Sequence, residues 1–256
     1  MNDSLHIAAT SLQAQQLNVD TVANNLANMS TSGFKKARVS FQDLMYREVA
    51  RAAGAPPADA TKLGSGVTGT TLRAFSTGEL KKTDEPLDIA IRGDGFIEVV
   101  MPDGTAAYTR GGTLQVNRDG MLATLQGYAL KPSIQVPPDA KELLVAADGR
   151  VLARAANQRE ALEVGRIELS RFTNPGAMAP AGDNVFRATE ASGEPRNSRA
   201  GEDGAGSLAQ GFLETSNVKL VEEMVELMIA QRAYEVSAKV IQASDEMMSL
   251  TNGLRR

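Results

Sequence analysis

Cysteine and tryptophan are both absent from the 256 residues, and histidine occurs once, at His6. Without cysteine the chain cannot form disulfides, iron–sulfur clusters, thiolate nucleophiles or cysteine-ligated zinc sites. With one histidine it cannot build a two-histidine metal site within one chain. A Ser-His-Asp triad would have to use His6, near the start of the chain, where a rigid and water-excluded site is difficult to build. The composition therefore argues against most hydrolytic and redox enzymes.

Aromatic residues and basic charge are also scarce. Phe and Tyr number 7 and 4, few for one thick core, so we expect thin layers or elongated pieces whose burial is completed by something else, such as other copies of the chain. Lys and Arg number 27 against 31 Asp and Glu, a net charge of −4 that argues against a general nucleic-acid binder. No run approaches the ~18 uncharged apolar residues of a membrane-spanning helix. The first residues also lack the basic start and apolar run of a secretory signal, so none is predicted.

Both ends of the chain have a helical pattern. Near the start, apolar residues seven positions apart predict a helix over residues 4–29: Leu5, Leu12, Val19 and Leu26. Near the end, the same spacing with Met224 beside it predicts a helix over residues 218–250: Leu220, Leu227, Tyr234, Ile241 and Met248. Ser216 or Asn217 is the candidate N-cap of the second helix, and Tyr234 is expected to be buried. Neither helix can bury its stripe alone, so each needs a partner.

The middle of the chain has the pattern of short strands. Seven strand-like runs lie between Leu87 and Phe172 and are separated by Asp-Gly turns such as Asp103-Gly104, Asp119-Gly120 and Asp148-Gly149. They predict a β-sandwich or barrel-like domain over roughly residues 85–190, with flexible stretches at 50–69 and 191–206. The fold class is therefore α+β and elongated, with a discontinuous, coiled-coil-like pair of long terminal helices and a mostly antiparallel β middle domain.

The two predicted helices differ in charge. Between Leu5 and Met29 the one charged side chain is Asp20, whereas seven are amides. Either these amides form a water-exposed face, or the helix is enclosed by protein on most sides in an assembly, where amides are tolerated and unpaired charge is not. Gln231 and Asn24 lie on or beside the stripes, where a polar residue can fix the register. The C-terminal helix carries many charges, so one of its faces is expected to be exposed to solvent or ion-paired.

Sequence motifs for cofactor binding or catalysis are weak in this chain. The run Gly64 to Gly69 matches Gly-x-Gly-x-x-Gly, but dinucleotide binding needs a strand before it and a helix after it, and extended sequence follows here. The acidic residues Asp94, Asp103, Asp119 and Asp148 precede glycines, which is typical of tight turns rather than of acid/base pairs. We therefore predict no catalytic residue, cofactor or metal, and no enzyme activity.

Several motifs together resemble one protein family. They are Ala23-Asn24-Asn25-Leu26-Ala27-Asn28, Thr31-Ser32-Gly33-Phe34-Lys35-Lys36, Gly93-Asp94-Gly95-Phe96, Tyr108-Thr109-Arg110, Phe172-Thr173-Asn174-Pro175-Gly176, Glu214-Thr215-Ser216-Asn217-Val218 and Gln231-Arg232-Ala233-Tyr234-Glu235. Over nearly its whole length the chain resembles the bacterial flagellar rod and hook proteins, and among them most resembles the distal rod type.

This resemblance implies a structural role. Many copies would polymerise helically into the hollow drive shaft from motor to hook, with other rod proteins and the hook protein at its ends and ring or bushing proteins around it. It implies export without a cleaved signal through the flagellar type III apparatus, a periplasm-spanning location, and no nucleic-acid partner or membrane insertion. It also implies three domains: an inner-tube domain of residues 1–34 and 217–256, an intermediate domain of 35–84 and 190–216, and an outer β domain of 85–189.

The resemblance also implies assembly residues on both helices. On the first they are Leu5, Leu12, Gln16, Val19, Asn24, Asn25, Leu26 and Asn28. On the second they are Asn217, Leu220, Met224, Leu227, Gln231, Arg232, Tyr234, Ile241 and Met248. A rod-type loop over 47–66 would include Arg47, Gly54, Pro56, Pro57, Gly64 and Gly66, although it is shorter than in typical distal rod members.

Two other functions stay open at this point. The first is a proximal rod or hook paralogue of the same family. The second is a secreted β-domain carbohydrate-binding module or enzyme, which would rest on the acidic turns alone.

Overall fold

The computed structural model describes residues 2–43, 67–155 and 161–253. They form two compact units. The helical unit takes its residues from the ranges Met1–Ala27, Ala37–Leu72 and Val218–Arg256, and the β unit takes its residues from Asn28–Lys36 and Arg73–Asn217. Each unit is therefore built from separate stretches of the chain. The predicted division into three domains stays a prediction.

The helical unit contains two long helices, α1 (Asn2–Ala27) and α2 (Leu220–Gly253). Before Gly253 neither helix contains glycine or proline, so nothing in the backbone interrupts them. Strand β1 (Ala37–Asp43) pairs with β2 (Val67–Arg73), whose last residue belongs to the β unit. Both predicted helices are present, with ends close to those expected. Their coiled-coil-like packing and the elongated shape remain predictions. None of the described helices is long and apolar enough to cross a membrane.

The β unit consists of short strands. They are β3 (Leu80–Lys82), β4 (Asp88–Arg92), β5 (Phe96–Val100), β6 (Ala106–Thr109), β7 (Gly111–Val116), β8 (Leu122–Thr124), β9 (Ala129–Leu130), β10 (Ala140–Val145), β11 (Arg150–Ala155), β12 (Leu162–Arg166), β13 (Glu168–Arg171), β14 (Ala179–Gly182), β15 (Val185–Arg187), β16 (Arg196–Arg199), β17 (Ser207–Gln210) and β18 (Phe212–Glu214). The strand-like runs of the sequence fall on β4 to β7, β10, β11 and β13.

Eleven of these strands form the main sheet. Its order is β14-β15-β6-β5-β9-β8-β7-β4-β17, and β13 pairs with both β5 and β16. A second sheet has the order β10-β11-β12, and β18 pairs with β3. The pairings within the β unit are antiparallel, which confirms the predicted mostly antiparallel class.

The core of the β unit has an aliphatic part and an aromatic part. Isoleucine, leucine and valine from β4, β5, β7, β8, β11, β13 and β17 form the larger cluster. In the smaller one, Phe75 meets Phe96 and Phe186 edge to face, and Phe172 meets Phe96 and Tyr108 in the same way. Five of the eleven aromatic residues therefore lie in one cluster, where edge-to-face pairing adds to their burial.

The stretch 191–206 was predicted to be flexible, and that prediction is wrong. Strand β16 lies within it and pairs with β13 over four residues. The turn that follows is closed by the bond from Gly201 N to Gly206 O, and Ala200 and Ala205 are buried. The polar and glycine-rich composition reflects tight turns at the edge of a sheet rather than an open loop.

The Asp-Gly turns are confirmed. Gly104, Gly120 and Gly149 each have positive φ and donate a backbone hydrogen bond to the residue three positions earlier. At Gly149 the need for glycine is twofold: φ is +88°, and a Cβ there would lie 2.3 Å from the carbonyl oxygen of Ile167. At Gly104 φ is +78°, but a Cβ would meet nothing within 4 Å.

These two turns provide a matched test. Gly149→Ala is expected to destabilise the β unit by about 2 kcal/mol or more, because the left-handed backbone and the contact with Ile167 both oppose a Cβ. Gly104→Ala is expected to cost about 1 kcal/mol, since the backbone conformation alone opposes it. Urea denaturation followed by circular dichroism measures both. Equal costs would show that the contact with Ile167 is not a constraint.

Candidate assembly interface

The two helices of the helical unit pack against each other. Small side chains are buried on each of them, Ala8 and Ala14 on α1 and Ala230 on α2. Leu227 and Ile241 are half-buried and lie on the same side of α2 as Ala230, because they are three and eleven residues away from it. Small residues allow two helix backbones to approach closely, but they bury little apolar area.

A buried amide fixes the end of α1. The side-chain amide of Asn25 donates to Ala37 O at 2.8 Å, and its oxygen accepts from Ala37 N at 2.9 Å. The same amide nitrogen donates to Glu223 Oε2 on α2 at 2.9 Å. Asn25 and Glu223 are both at most 1% exposed. Asn25 therefore pairs with Ala37 as a neighbouring strand would, and it ties α1, β1 and α2 together.

The predicted assembly residues fall into three groups. Asn25 is buried, and Leu12, Val19, Leu26, Asn28, Asn217, Leu227 and Ile241 are half-buried. Exposed side chains are Gln16, Asn24, Leu220, Met224, Gln231, Arg232 and Tyr234. The side chains of Leu5 and Met248 lie outside the described residues, as do Arg47, Gly54, Pro56, Pro57, Gly64 and Gly66 of the predicted rod-type loop. Their role in assembly stays a prediction.

Two expectations for individual residues are wrong. Tyr234 is 42% exposed rather than buried. Asn217 is not the N-cap of α2, which begins at Leu220. Its side chain instead accepts from Lys36 N and donates to Ala74 O, inside the β unit.

The largest apolar surface of the helical unit lies on α2. Seven large apolar side chains, 45 to 73% exposed, lie mostly on the side of α2 turned away from Glu223 and Ala230: Val221, Val225, Met228, Ile229, Val236, Val240 and Met247. We call this set the outer apolar face. The expected ion pairs also occur, between Arg232 and Glu235 and between Lys219 and Glu222. These charges were predicted from the sequence, but the outer apolar face was not, because the prediction rested on the stripe that repeats every seven residues.

A groove between the helices brings together predicted residues from both of them. It has a volume of about 370 Å³ and is lined by Gln16, Val19, Asp20, Gln231, Tyr234 and Glu235. Four of the six were predicted from the sequence to take part in assembly. Val19, the ring of Tyr234 and the aliphatic carbons of the polar side chains give the groove a mainly apolar lining, with polar groups of Gln16, Asp20, Gln231 and Glu235 around it.

In the β unit, one carboxylate meets two buried cations. Glu214 Oε1 lies 2.7 Å from Lys35 Nζ, and Glu214 Oε2 lies 3.1 Å from Arg110 Nε. All three side chains are at most 3% exposed. Lys35 also donates to Ser76 O, Arg110 donates to Gly95 O, and Glu214 accepts from Gly78 N, each at 2.8 Å. We call these three residues the Glu214 cluster. Each belongs to one of the family-like motifs, yet no sequence pattern indicates their contact.

The chemistry motifs have structural roles. Gly69, the last glycine of the dinucleotide-like run, lies on β2, where a Cβ would be 2.9 Å from Val39 and 3.1 Å from Leu17. Asp103 and Asp148 accept bonds within their own turns, from Thr105 and from Arg150, and these bonds lower the pKa of both carboxyls. In the described part of the chain, no group of three or more His, Asp or Glu side chains could hold a metal.

Comparison with known proteins identifies the family. Three family models match: "Flagella basal body rod protein" at residues 5–35, "Flagellar hook protein FlgE/F/G D1 domain" at 90–153, and "Flagellar basal body rod FlgEFG protein C-terminal" at 209–254. The chain is 42% identical to the flagellar basal-body rod protein FlgG of Borreliella burgdorferi, over 100% of both chains. The chain belongs to the flagellar basal-body rod protein family.

Two relatives from Bacillus subtilis refine the comparison. The chain is 34% identical to the FlgG of that organism, over 99% of both chains. It is 28% identical to its flagellar hook-basal body complex protein FlhP, over 98% of this chain and 99% of the relative. Members of the rod family are structural subunits of the flagellum. The chain is thus a structural subunit of the basal-body rod that serves motility and assembles there with other flagellar components.

The Asn25 contact can be tested against its neighbour in sequence. Asn25→Ala is expected to destabilise the helical unit by about 2–4 kcal/mol, because it leaves Ala37 and Glu223 buried without their amide partner. Asn24→Ala makes the same change in helix propensity at an exposed position and should cost less than about 1 kcal/mol. Urea denaturation followed by the helical circular dichroism signal compares them. Similar costs at both positions would contradict the role of Asn25.

The Glu214 cluster predicts a dependence on pH. Burial by itself raises the pKa of Glu214, but the charges and hydrogen bonds of Arg110 and Lys35 outweigh it, so the pKa lies below its ordinary value. Such a carboxyl stabilises the fold above its unfolded pKa of about 4.3, and this stabilisation is lost as the pH falls through the lower, folded pKa. At neutral pH, Glu214→Gln should cost about 3–5 kcal/mol, as expected for a broken buried ion pair.

The measurement is the free energy of unfolding of both proteins as a function of pH. The difference between wild type and Glu214→Gln is expected to shrink below about pH 4, where the wild-type carboxyl becomes protonated and neutral as well. Glu142→Gln is the control, since it breaks an exposed pair with Arg154 and should cost less than about 1 kcal/mol. A difference that stayed constant down to low pH would show that the charge of Glu214 contributes nothing.

Proposed function

We propose that the chain is a distal rod subunit. Its copies polymerise helically through α1 and α2 into the hollow shaft that transmits torque from the motor to the hook. The observation that carries this proposal is the outer apolar face of α2. The greater similarity to FlgG than to FlhP in Bacillus subtilis supports the distal type over another rod or hook paralogue.

The outer apolar face is too large for a helix of an isolated chain. Soluble monomers rarely expose contiguous apolar patches of more than a few hundred Å². Burying one large aliphatic side chain stabilises an assembly by about 1.5–3 kcal/mol, and this face offers seven such side chains. Within the helical unit α1 covers the opposite side of α2. We assign the outer face to contacts with neighbouring copies of the chain.

The amides of α1 fit the same arrangement. Gln16 and Asn24 are exposed, and Gln16 lines the groove that also contains Gln231 and Tyr234 of α2. Amides can donate and accept at once, so they tolerate enclosure by neighbouring subunits better than lysine or glutamate would. In this proposal, α1 supplies polar contacts of low charge and α2 supplies the apolar area.

The proposal extends to location and partners. The rod would span the periplasm, with other rod proteins and the hook protein at its ends and ring or bushing proteins around it. Subunits would leave the cell through the flagellar type III export apparatus. The proposed role requires neither catalysis nor a cofactor. Two of the acidic residues that could have indicated a carbohydrate-active β domain, Asp103 and Asp148, accept bonds within their own turns.

Two lysine substitutions on α2 test the assembly surface. Ile229→Lys places a charge in the outer apolar face and is expected to abolish polymerisation, since burying an unpaired charge costs several kcal/mol per contact. Glu226→Lys is the matched control, because it lies less than one turn away on an exposed, already charged position. Both chains should remain folded as monomers, with unchanged circular dichroism. Sedimentation measures polymer formation, and swimming in a rod-deficient motile host measures function.

Gln16→Lys is the corresponding change on α1 and should also impair assembly more than Glu226→Lys. Normal rods and swimming with Ile229→Lys would remove the outer apolar face from the interface. Equal, mild effects at Gln16 and Glu226 would show that α1 is not enclosed.

A further inference from the structure

Residues 207–217 form a narrow segment that touches most parts of the β unit. We call it the strap. β17 pairs with β4 at the edge of the main sheet, and β18 pairs with β3. The fit leaves no spare room on one side, because a Cβ at Gly78 would clash with the backbone oxygen of Thr215. The strap therefore lies in direct backbone contact with what it covers.

Three side chains of the strap, Gln210, Glu214 and Asn217, each bridge separate segments of the β unit. Gln210 joins the two sheets. Its amide donates to Pro86 O at 2.6 Å and to Leu143 O at 2.7 Å. Its oxygen accepts from Val145 N at 3.0 Å. Pro86 precedes β4 of the main sheet, whereas Leu143 and Val145 belong to β10 of the second sheet.

Glu214 forms ion pairs with Lys35 and Arg110 and accepts a hydrogen bond from Gly78 N. Its backbone oxygen accepts from Gly33 N at 2.7 Å. In the described part of the chain, neither Lys35 nor Arg110 forms an ion pair with a second carboxylate. If the strap left, two cations would remain in a buried site without their counterion, or that site would have to open to water.

Asn217 is the last residue of the strap. It accepts from Lys36 N at 2.7 Å and donates to Ala74 O at 2.8 Å. Ala74 N in turn donates to Lys36 O at 2.9 Å. Residues 33–36 and 74–78 are thus held to the strap, and to each other, by hydrogen bonds.

We infer that residues 207–217 act as a closing strap: they join 33–36, 74–78, 86–92 and 143–145, and these segments open and close with the strap as one cooperative element. The strap does so because Gln210, Glu214 and Asn217 each bridge at least two of these segments, and because the charged Glu214 cannot leave its two buried cations part-way. Strands β5 and β6, which pair with each other, do not need the strap and stay closed. This inference goes beyond the assembly role and does not rest on it.

The position of the strap near the end of the β unit's sequence affects the order in which this unit closes. During synthesis the amino-terminal part of a chain is made first. Lys35 and Arg110 are therefore present before Glu214, and the β unit cannot pair them until the strap has been made. The β unit closes last at the strap, and until then its two buried cations keep the site open to water.

Hydrogen exchange on the full wild-type chain tests the strap without any substitution. The amides of Gly33, Lys36, Gly78 and Val145 donate to strap atoms and report on its opening. At concentrations where the chain is monomeric and with urea below the unfolding transition, these amides should exchange at one common rate that rises in parallel with urea. Amides of β5 and β6 should exchange more slowly. Four unrelated rates, or the same rate in β5 and β6, would overturn the inference.

Glu214→Gln gives a second, independent test in the same assay. It should accelerate exchange about tenfold or more at Gly33 and Lys36 and also at the distant Val145, with β5 and β6 unchanged. Glu226→Gln on α2 is the matched control and should change none of these rates. Acceleration confined to Gly33, Lys36 and Gly78 would show a local contact rather than a strap. If Glu214→Gln unfolds the whole β unit, the hydrogen-exchange rates of the wild-type chain test the inference by themselves.

Discussion

A buried cation needs a counterion, and in the β unit the single carboxylate of Glu214 serves both Lys35 and Arg110. Its partners are 179 and 104 residues away in the chain. The desolvation of three charged groups is offset only when all three arrive together, so the site leaves little freedom for intermediate arrangements. Residues from the start, middle and end of the β unit therefore share one constraint. This constraint explains how a unit made of many very short strands keeps a single arrangement.

In the helical unit a buried polar side chain also joins separate segments, but this side chain is an uncharged amide rather than a carboxylate. Asn25 joins α1, β1 and α2 through hydrogen bonds of 2.8 to 2.9 Å. Of the four buried apolar side chains on the described parts of the two helices, three are alanines, Ala8, Ala14 and Ala230, which bury little area; the fourth is Val22. A buried polar group fixes the register of such a contact better than it adds stability. The helices are thus positioned by polar contacts, while most of the large apolar side chains of α2 remain available.

Local features of this fold could be predicted from the sequence, and distant ones could not. Helices without interior glycine, strands of alternating or apolar residues, and Asp-Gly turns depend on neighbouring residues, so their positions were found. The contact of Lys35 with Glu214 depends on the path of the whole chain, which no periodic pattern records. On α2 the sequence holds two apolar stripes, one through Leu227 and Ile241 and one through Val225 and Val236. Hydrophobicity alone does not say which of them α1 covers, because the deciding features are the small Ala230 and the buried Glu223.

The two units therefore differ in how far contacts within one chain pair their buried charges and cover their apolar side chains. In the β unit, Lys35 and Arg110 find their counterion inside the unit, and five aromatic residues form one buried cluster. In the helical unit, α2 has two apolar sides and α1 can cover one of them. Stability of the β unit then depends on contacts within one chain. In the proposed polymer, the helical unit would gain its remaining burial from neighbouring copies. A subunit divided in this way could fold before it assembles, because the apolar face proposed for assembly lies on α2, whereas the Glu214 cluster lies within the β unit.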